Sequence, residues 1–239
     1  MIIGTVVEGP TDRRVLKAVL RRLIPGDHQF LPIQPAVTFG ELGTGWKGVR
    51  SWCCQTWQQE GFSLAAIVAS GPPLDLLVIH LDADVAEEPD LQEGEDDPIK
   101  GVERPCPPAA ATARQLERVL LRWLRLETIP PATVFALPAQ DMENWTFAAL
   151  YPNDNLCARP DYECTRTGGD HPAYRLTLKK YGKLLQRRGG QIKKPESTYR
   201  KVAPLIADAW DVVCLICPQA AQFWQDVQSA VLPEDPMPS

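Results

Sequence analysis

The feature that most constrains the fold is the segment 76–85, LLVIHLDADV, in which an apolar run ends in two aspartates one position apart. A second apolar run, at 2–7, is followed in the same way by an acidic sequence, EGPTD. Both runs are short and rich in apolar, partly β-branched residues, which is typical of strands buried on both faces of a parallel sheet. Such sheets carry their functional groups at the carboxyl ends of the strands. The two runs therefore predict an α/β fold that brings Glu8, Asp82 and Asp84 to one edge of the sheet.

Helical and strand-like patterns alternate along the rest of the first 150 residues. Apolar residues at helical spacing predict helices at 11–23, 47–59, 109–126 and 141–150. Short apolar runs predict further strands at 30–33 and 133–137. Thr11 is the expected N-cap of the first helix, because its hydroxyl can accept a hydrogen bond from a free amide of the first turn.

The composition changes after residue 150. Helical spacing predicts two packed helices, at 197–216 and 219–231, which are separated by Pro218. Residues 1–150 are therefore predicted to form a Rossmann-like α/β domain with a central, mostly parallel sheet flanked by helices. Residues 151–239 are predicted to form a helical, basic C-terminal lobe packed on that domain.

Charge is distributed unevenly along the chain. The 239 residues have a formal net charge of -5 and a sequence pI of about 5.3, so composition alone does not indicate nucleic-acid binding. A cation bound at an acidic cluster would nevertheless allow a polyanionic substrate. The last third is rich in lysines that are candidates for phosphate contacts or belong to solvated helix faces: Lys179, Lys180, Lys183, Lys193, Lys194 and Lys201.

The cysteines and the start of the chain favour a reduced, cytoplasmic protein. Seven cysteines at irregular spacings do not resemble a disulfide framework. The single pair Cys214-x-x-Cys217 could hold zinc, but two small buried side chains are the simpler interpretation. The first residues lack the basic region of a signal peptide, and no apolar run reaches the roughly 18–20 residues of a membrane helix.

The acidic residues at the strand ends suit a divalent cation. Asp82 and Asp84 are expected to point to the same face, because side chains alternate along a strand. Crowded carboxylates repel one another and raise their pKa values, and Mg²⁺ or Mn²⁺ relieves that repulsion. Glu143, after the last predicted strand of the domain, is either a third component of the site or a charge that stabilises a helix start. Asp12 and Glu87 are further candidate ligands, although the helix dipole also favours an aspartate in a first turn.

The sequences VVEGPTD and LLVIHLDADV together resemble the Toprim domain of topoisomerases, primases and OLD-family nucleases. That family has a glutamate after its first strand and an Asp-x-Asp after a later strand, which implies that Glu8, Asp82 and Asp84 bind metal. In the OLD-type variant a second acidic residue lies four positions after the glutamate, here Asp12. The DMENW segment resembles a helix start of standalone Toprim-like proteins, which implies that Glu143 lies near the site. The sequence shows no Walker motif, topoisomerase tyrosine domain or primase zinc domain, so the resemblance implies a standalone nuclease.

Three functions are open from the sequence. The favoured one is a Mg²⁺- or Mn²⁺-dependent nuclease of DNA or RNA, in which Glu8, Asp82, Asp84 and Lys194 are catalytic. The second is an effector subunit that is inactive without an ATPase or sensor protein, as in anti-phage defence systems that resemble it. The third is a phosphohydrolase of small nucleotides. His80 lies on the same strand face as Asp82 and is either a neighbour of the site or a packed core histidine.

Overall fold

The centre of the molecule is a four-stranded parallel sheet. The computed structural model describes residues 1–35, 44–58, 67, 73–87, 100, 103–166 and 168–231. The strands of the sheet are β1 (Ile2–Val6), β2 (Gln29–Gln34), β3 (Leu76–His80) and β4 (Thr133–Ala136). Every neighbouring pair is parallel, and the order is β2-β1-β3-β4. The predicted Rossmann-like α/β class is confirmed.

Helices follow the strands and continue through the last third of the chain. Those in the described residues are α1 (Pro10–Leu23), α2 (Gly45–Gln58), α3 (Ala109–Leu124), α4 (Met142–Leu150), α5 (Pro172–Arg175), α6 (Glu196–Asp208), α7 (Trp210–Ile216) and α8 (Pro218–Val231). The predicted N-cap of α1 is wrong, because the helix begins at Pro10 and Gly9 is its cap. Proline suits the first position of a helix, where its missing N–H has no intrahelical partner to lose.

Helices cover both faces of the sheet because strand side chains alternate between two apolar clusters. Leu76 and Val78 of β3 belong to the cluster that includes residues of α1, α4, α6, α7 and α8. Leu77 and Ile79 belong to the cluster that includes α2 and α3. All five residues of β3 are buried, as its continuous apolar sequence predicts. This strand therefore fixes the position of the acidic residues that follow it.

The last third differs from its prediction in two ways. The helix expected at 197–216 is divided at Ala209 into α6 and α7. An antiparallel hairpin, β5 (Gln186–Arg188) and β6 (Gln191–Lys193), precedes them. Gly189 and Gly190 connect its strands with positive φ values of 58° and 81°, a backbone conformation that glycine adopts without the clash of a Cβ. The C-terminal lobe is thus mainly but not wholly helical, and its division from the first domain at residue 150 stays a prediction.

The expectation that every cysteine is reduced is wrong for one pair. Cys106 and Cys164 form a disulfide that joins the segment before α3 to the turn after α4. Cys53, Cys54, Cys157, Cys214 and Cys217 are free thiols. Among the described helices, none combines the length and the apolar character needed to cross a membrane.

Candidate metal centre

Two neighbouring strand ends bring the first acidic side chains together. β1 and β3 are paired up to Val6 and Ile79, so the residues that follow them leave the sheet side by side. The backbone N–H of Asp82 donates a hydrogen bond of 2.7 Å to Oε1 of Glu8. Glu8, His80 and Asp82 each offer a ligand atom, and these atoms all lie within 4.8 Å of one another. The carboxyl edge of the sheet therefore has a compact set of donors.

Asp84 reaches this edge by a different route from the one expected. β3 ends at His80, and a 3-10 helix begins at Ala83, so strand alternation does not determine where Asp84 points. The N–H groups of Ala83 and Asp84 both donate to the carbonyl oxygen of Gln140, at 2.8 and 3.1 Å. Asp82 is buried whereas Asp84 is exposed. The side chain of Glu87, at the end of the 3-10 helix, lies outside the described part of the structure.

His80 lies against Asp82 in the interior. Its Nε2 is 3.0 Å from Oδ1 of Asp82, and the imidazole is fully buried. Burial lowers the pKa of His80, but the charge of Asp82, the hydrogen bond to Asp82 and the charge of Asp12 together leave the pKa above its ordinary value. Burial likewise raises the pKa of Asp82, yet the charge of His80 and its hydrogen bond bring that pKa below its ordinary value. Asp82 is therefore the carboxylate of the cluster that stays ionised most readily.

Lys194 enters the cluster from the C-terminal lobe. Its Nζ lies 2.6 Å from Oε2 of Glu143 and 3.9 Å from Oδ1 of Asp12. The hydroxyl of Tyr199, in α6, donates to the other oxygen of Glu143. Burial alone would lower the pKa of Lys194, but the charges of Glu143 and Asp12 raise it well above its ordinary value. The two oxygens of Glu143 are thus occupied by the Lys194 ammonium and the Tyr199 hydroxyl. Its role in this structure is to hold Lys194, and it is not free to bind a metal ion without losing these contacts.

Three carboxyl groups of the cluster, those of Glu8, Asp12 and Asp84, have elevated pKa values. Burial, followed by the charges of Asp82 and Asp84, raises the pKa of Glu8 well above its ordinary range. Desolvation and then the charge of Asp82 raise the pKa of Asp84 to about 7, and the residue as a whole is exposed. Burial raises the pKa of Asp12 to about 6. The acidic side chains of the cluster therefore outnumber its two basic side chains, Lys194 and His80.

Asp141 is an additional acidic residue that the sequence interpretation did not assign to the site. It caps α4, where its side chain accepts a hydrogen bond from the N–H of Asn144 at 3.2 Å. His171 Nε2 lies 3.5 Å from its other oxygen. Burial and then the charge of Glu143 raise its pKa well above the ordinary value. Its position directly before a helix, after a strand, was the signal that could have identified it.

The other candidate lysines lie outside the cluster. Lys180 is 3.8 Å from Asp154, and Lys193 donates to Gln191, its neighbour in the hairpin. These lysines are exposed, together with Lys179, Lys183 and Lys201. Of the six lysines that the sequence singled out, Lys194 is the one that the structure places among the acidic residues.

The donor set suits a hard divalent cation. Glu8 and Asp82 offer carboxylate oxygens, which Mg²⁺ and Mn²⁺ prefer, and His80 adds a nitrogen that Mn²⁺ also accepts. Asp84, whose charge raises the pKa of Glu8, is not one of the three residues whose ligand atoms lie within 4.8 Å of one another. The buried Oδ1 of Asp82 lies 3.0 Å from Nε2 of His80, so two of these donors are already in contact with each other. Comparison of the chain with protein-family models, with curated proteins and with solved structures finds no match.

Proposed function

We propose that the chain is a divalent-metal-dependent nuclease that hydrolyses phosphodiester bonds of DNA or RNA. The observation that carries the proposal is the meeting of Glu8 and Asp82 at adjacent strand ends. The charge of Asp84 acts on Glu8, and Lys194 pairs with Glu143 and Asp12 of the same cluster. Parallel α/β sheets carry their chemistry at this edge. The resemblance of the two strand-end motifs to the Toprim domain supports the same activity.

The residues of the proposed site divide into two groups. Glu8, Asp82 and Asp84 would hold Mg²⁺ or Mn²⁺, which supplies activation of water and neutralises charge on the phosphoryl oxygens. Lys194, held in place by Glu143 and Asp12, presents a permanent positive charge to the phosphate. Tyr199 fixes Glu143 and thereby the position of the ammonium. The same lysine would stabilise the charge that develops on the phosphate during hydrolysis.

A second candidate is the effector subunit that acts only with a partner protein. It is favoured by apolar side chains that the last helices leave in solvent. Leu205 is 53% exposed and Leu215 is 87% exposed, and Val212 lies between them in sequence. Exposed apolar side chains of this size are typical of docking surfaces when they form one patch.

The test is cleavage of single-stranded DNA, double-stranded DNA, RNA and plasmid with Mg²⁺ or Mn²⁺, by the wild type and by Asp84→Ala. We expect the variant to lose about 10³-fold in rate or more, about 4 kcal/mol of barrier, because the cation loses a ligand. Asp208→Ala is the matched control, since it removes an exposed carboxylate at the end of α6 and should keep the wild-type rate. Equal rates for wild type and Asp84→Ala would contradict the proposal. Absence of cleavage by both, with metal binding in calorimetry, would favour the partner-dependent candidate.

A further inference from the structure

One surface next to the proposed site is strongly positive in a chain of negative net charge. Arg14, Lys17 and Arg21 follow one another at three- and four-residue intervals in α1, which places them on one helix face; we call them the α1 ridge. At 1.5 Å of rise per residue the ridge is about 10 Å long. Neither the sequence interpretation nor the proposed chemistry of the site gives these three residues a role.

The contacts of the ridge place its charges close together. Lys17 Nζ and the Arg21 guanidinium lie over the ring of Phe30, at 5.3 and 5.4 Å from its centroid. Arg14 forms an ion pair with Glu196 at the start of α6. Burial lowers the pKa of Lys17, and the charges of Arg21, Arg14 and Arg13 lower it further. The cations are therefore near enough to repel one another.

Interactions within α1 itself disfavour this arrangement, although Arg14 pairs with Glu196 and the other two cations lie over Phe30. Like charges three or four residues apart destabilise a helix by about 0.2–0.5 kcal/mol per pair. Arg21 lies in the last turn, where the helix dipole favours a cation, but Arg14 and Lys17 lie further towards the N-terminus and gain nothing from the dipole. A ligand with several negative charges would convert this repulsion into attraction.

The ridge begins where the acidic cluster ends. α1 starts at Pro10, between Glu8 and Asp12, and Arg14 pairs with Glu196, which follows Lys194 of the cluster by two residues. The ridge then continues away from the cluster along the helix. A nucleic-acid strand rises about 3.4 Å per nucleotide, so about 10 Å of ridge corresponds to about three phosphates. A free nucleotide carries its phosphates in one short group, so it does not offer a separate phosphate to each residue of the α1 ridge.

We infer that the α1 ridge binds the phosphate backbone of a polynucleotide next to the bond that is cleaved. The substrate class of the site is therefore a polynucleotide and not a free nucleotide. The inference rests on the proposed nuclease function, but the binding that it describes is measured separately from cleavage. It removes the small-nucleotide phosphohydrolase from the three functions that the sequence left open.

Two triple variants with the same change of charge test this inference. Arg14→Gln, Lys17→Gln and Arg21→Gln together remove the α1 ridge. Arg114→Gln, Arg118→Gln and Arg122→Gln together remove an exposed stripe of three arginines on α3, and serve as the control. Binding of fluorescein-labelled single-stranded and double-stranded DNA of about 20 nucleotides is followed by fluorescence anisotropy in EDTA, at several salt concentrations between about 50 and 200 mM.

We expect the ridge variant to bind DNA at least about 10-fold more weakly than the wild type. The slope of log K against log salt should become shallower by about 2–3, since each lost phosphate contact reduces the slope by about 1. The α3 variant should match the wild type in both quantities. Equal losses in the two variants would overturn the inference, because the effect would then be one of net charge. Circular dichroism of both variants establishes that they are folded.

Hydrolysis of bis(p-nitrophenyl) phosphate with Mn²⁺ by the wild type separates this inference from the proposed function. If the wild type hydrolyses this small ester but binds neither oligonucleotide, the proposed role of the α1 ridge is wrong and the proposed metal site is supported. A wild type that binds DNA through the ridge and hydrolyses neither the ester nor DNA would support the ridge and overturn the nuclease.

Discussion

Glu163 and Glu8 are both glutamates whose pKa values are raised by burial, yet their surroundings differ. The two oxygens of Glu163 accept hydrogen bonds from the Trp145 indole N–H at 2.7 Å and from the N–H of Gln219 at 2.9 Å. Burial raises its pKa to about 7, and these donors limit the rise. Glu8 accepts from the N–H of Asp82, but the charges of Asp82 and Asp84 add to the effect of burial. Neutral N–H donors thus stabilise the carboxylate of Glu163. The carboxylate of Glu8 lies among other carboxylates, and a bound cation would offset their repulsion.

The largest expected difference between these two glutamates is in stability. Glu163→Ala leaves two buried N–H donors unpaired and a small cavity, so we expect the free energy of unfolding to fall by about 2–4 kcal/mol. Glu8→Gln keeps an oxygen that can accept from Asp82 and removes a charge that its neighbours oppose, so it should be at least as stable as the wild type in metal-free buffer at pH 8. Urea unfolding measures both. If Glu163→Ala is as stable as the wild type, the hydrogen bonds of Glu163 do not stabilise the fold and the two glutamates do not differ as proposed.

Addition of metal should raise the melting temperature only when Glu8 is present, whereas Glu163 is not expected to bind the ion. If Mn²⁺ binds the folded protein at about 100 times its Kd, the gain is about 2.7 kcal/mol, which raises Tm by about 5–10 °C in a chain of this size. We expect this shift in the wild type and in Asp208→Ala, and its loss in Glu8→Gln and Asp84→Ala. Differential scanning fluorimetry with and without EDTA measures it. A full shift in Glu8→Gln would mean that the ion binds elsewhere.

The smallest expected effect is the dependence of metal-free stability on pH. The folded-state pKa values of Asp12 and Asp84 are raised, to about 6 and about 7. The folded protein therefore holds protons that the unfolded chain releases, and these two groups make stability fall as the pH rises from about 4 to about 7. In EDTA we expect the decrease in Tm between pH 5 and pH 8 to be smaller for Asp84→Asn than for the wild type by about 2–4 °C. Identical curves for the two proteins would show that Asp84 does not carry an unfavourable charge.

The sheet and most helices could be predicted because they are encoded by local patterns. The continuous apolar sequence of β3 indicates a strand buried on both faces, and the apolar stripe of α3 indicates a helix packed on one side. The proximity of the acidic residues after β1 and β3 could also be predicted, because the carboxyl ends of neighbouring parallel strands lie at the same edge of the sheet. Three of the residues at this edge, Glu8, Asp82 and Asp84, were identified in this way.

The remainder of the site depends on contacts between distant parts of the chain. Tyr199 meets Glu143 only because α6 packs against α1 and α4, and no periodicity within α6 indicates this contact. The direction of Asp84 depends on two hydrogen bonds to the carbonyl of Gln140, which replace the next residues of the strand by a 3-10 turn. The disulfide between Cys106 and Cys164 spans 58 residues, and irregular cysteine spacing gives no pairing.

The arrival of Lys194 from the far end of the chain has a consequence for the order in which the cluster is completed during synthesis. A nascent chain that has left the ribosome only as far as α4 already contains Glu8, Asp82 and Glu143 but lacks the ammonium that pairs with Glu143. Glu143 gains this partner only when the hairpin and α6 have emerged and docked against α1. Completion of the site thus waits for the translation of β6 and α6, and a truncated product that ends before β6 carries an acidic edge without Lys194.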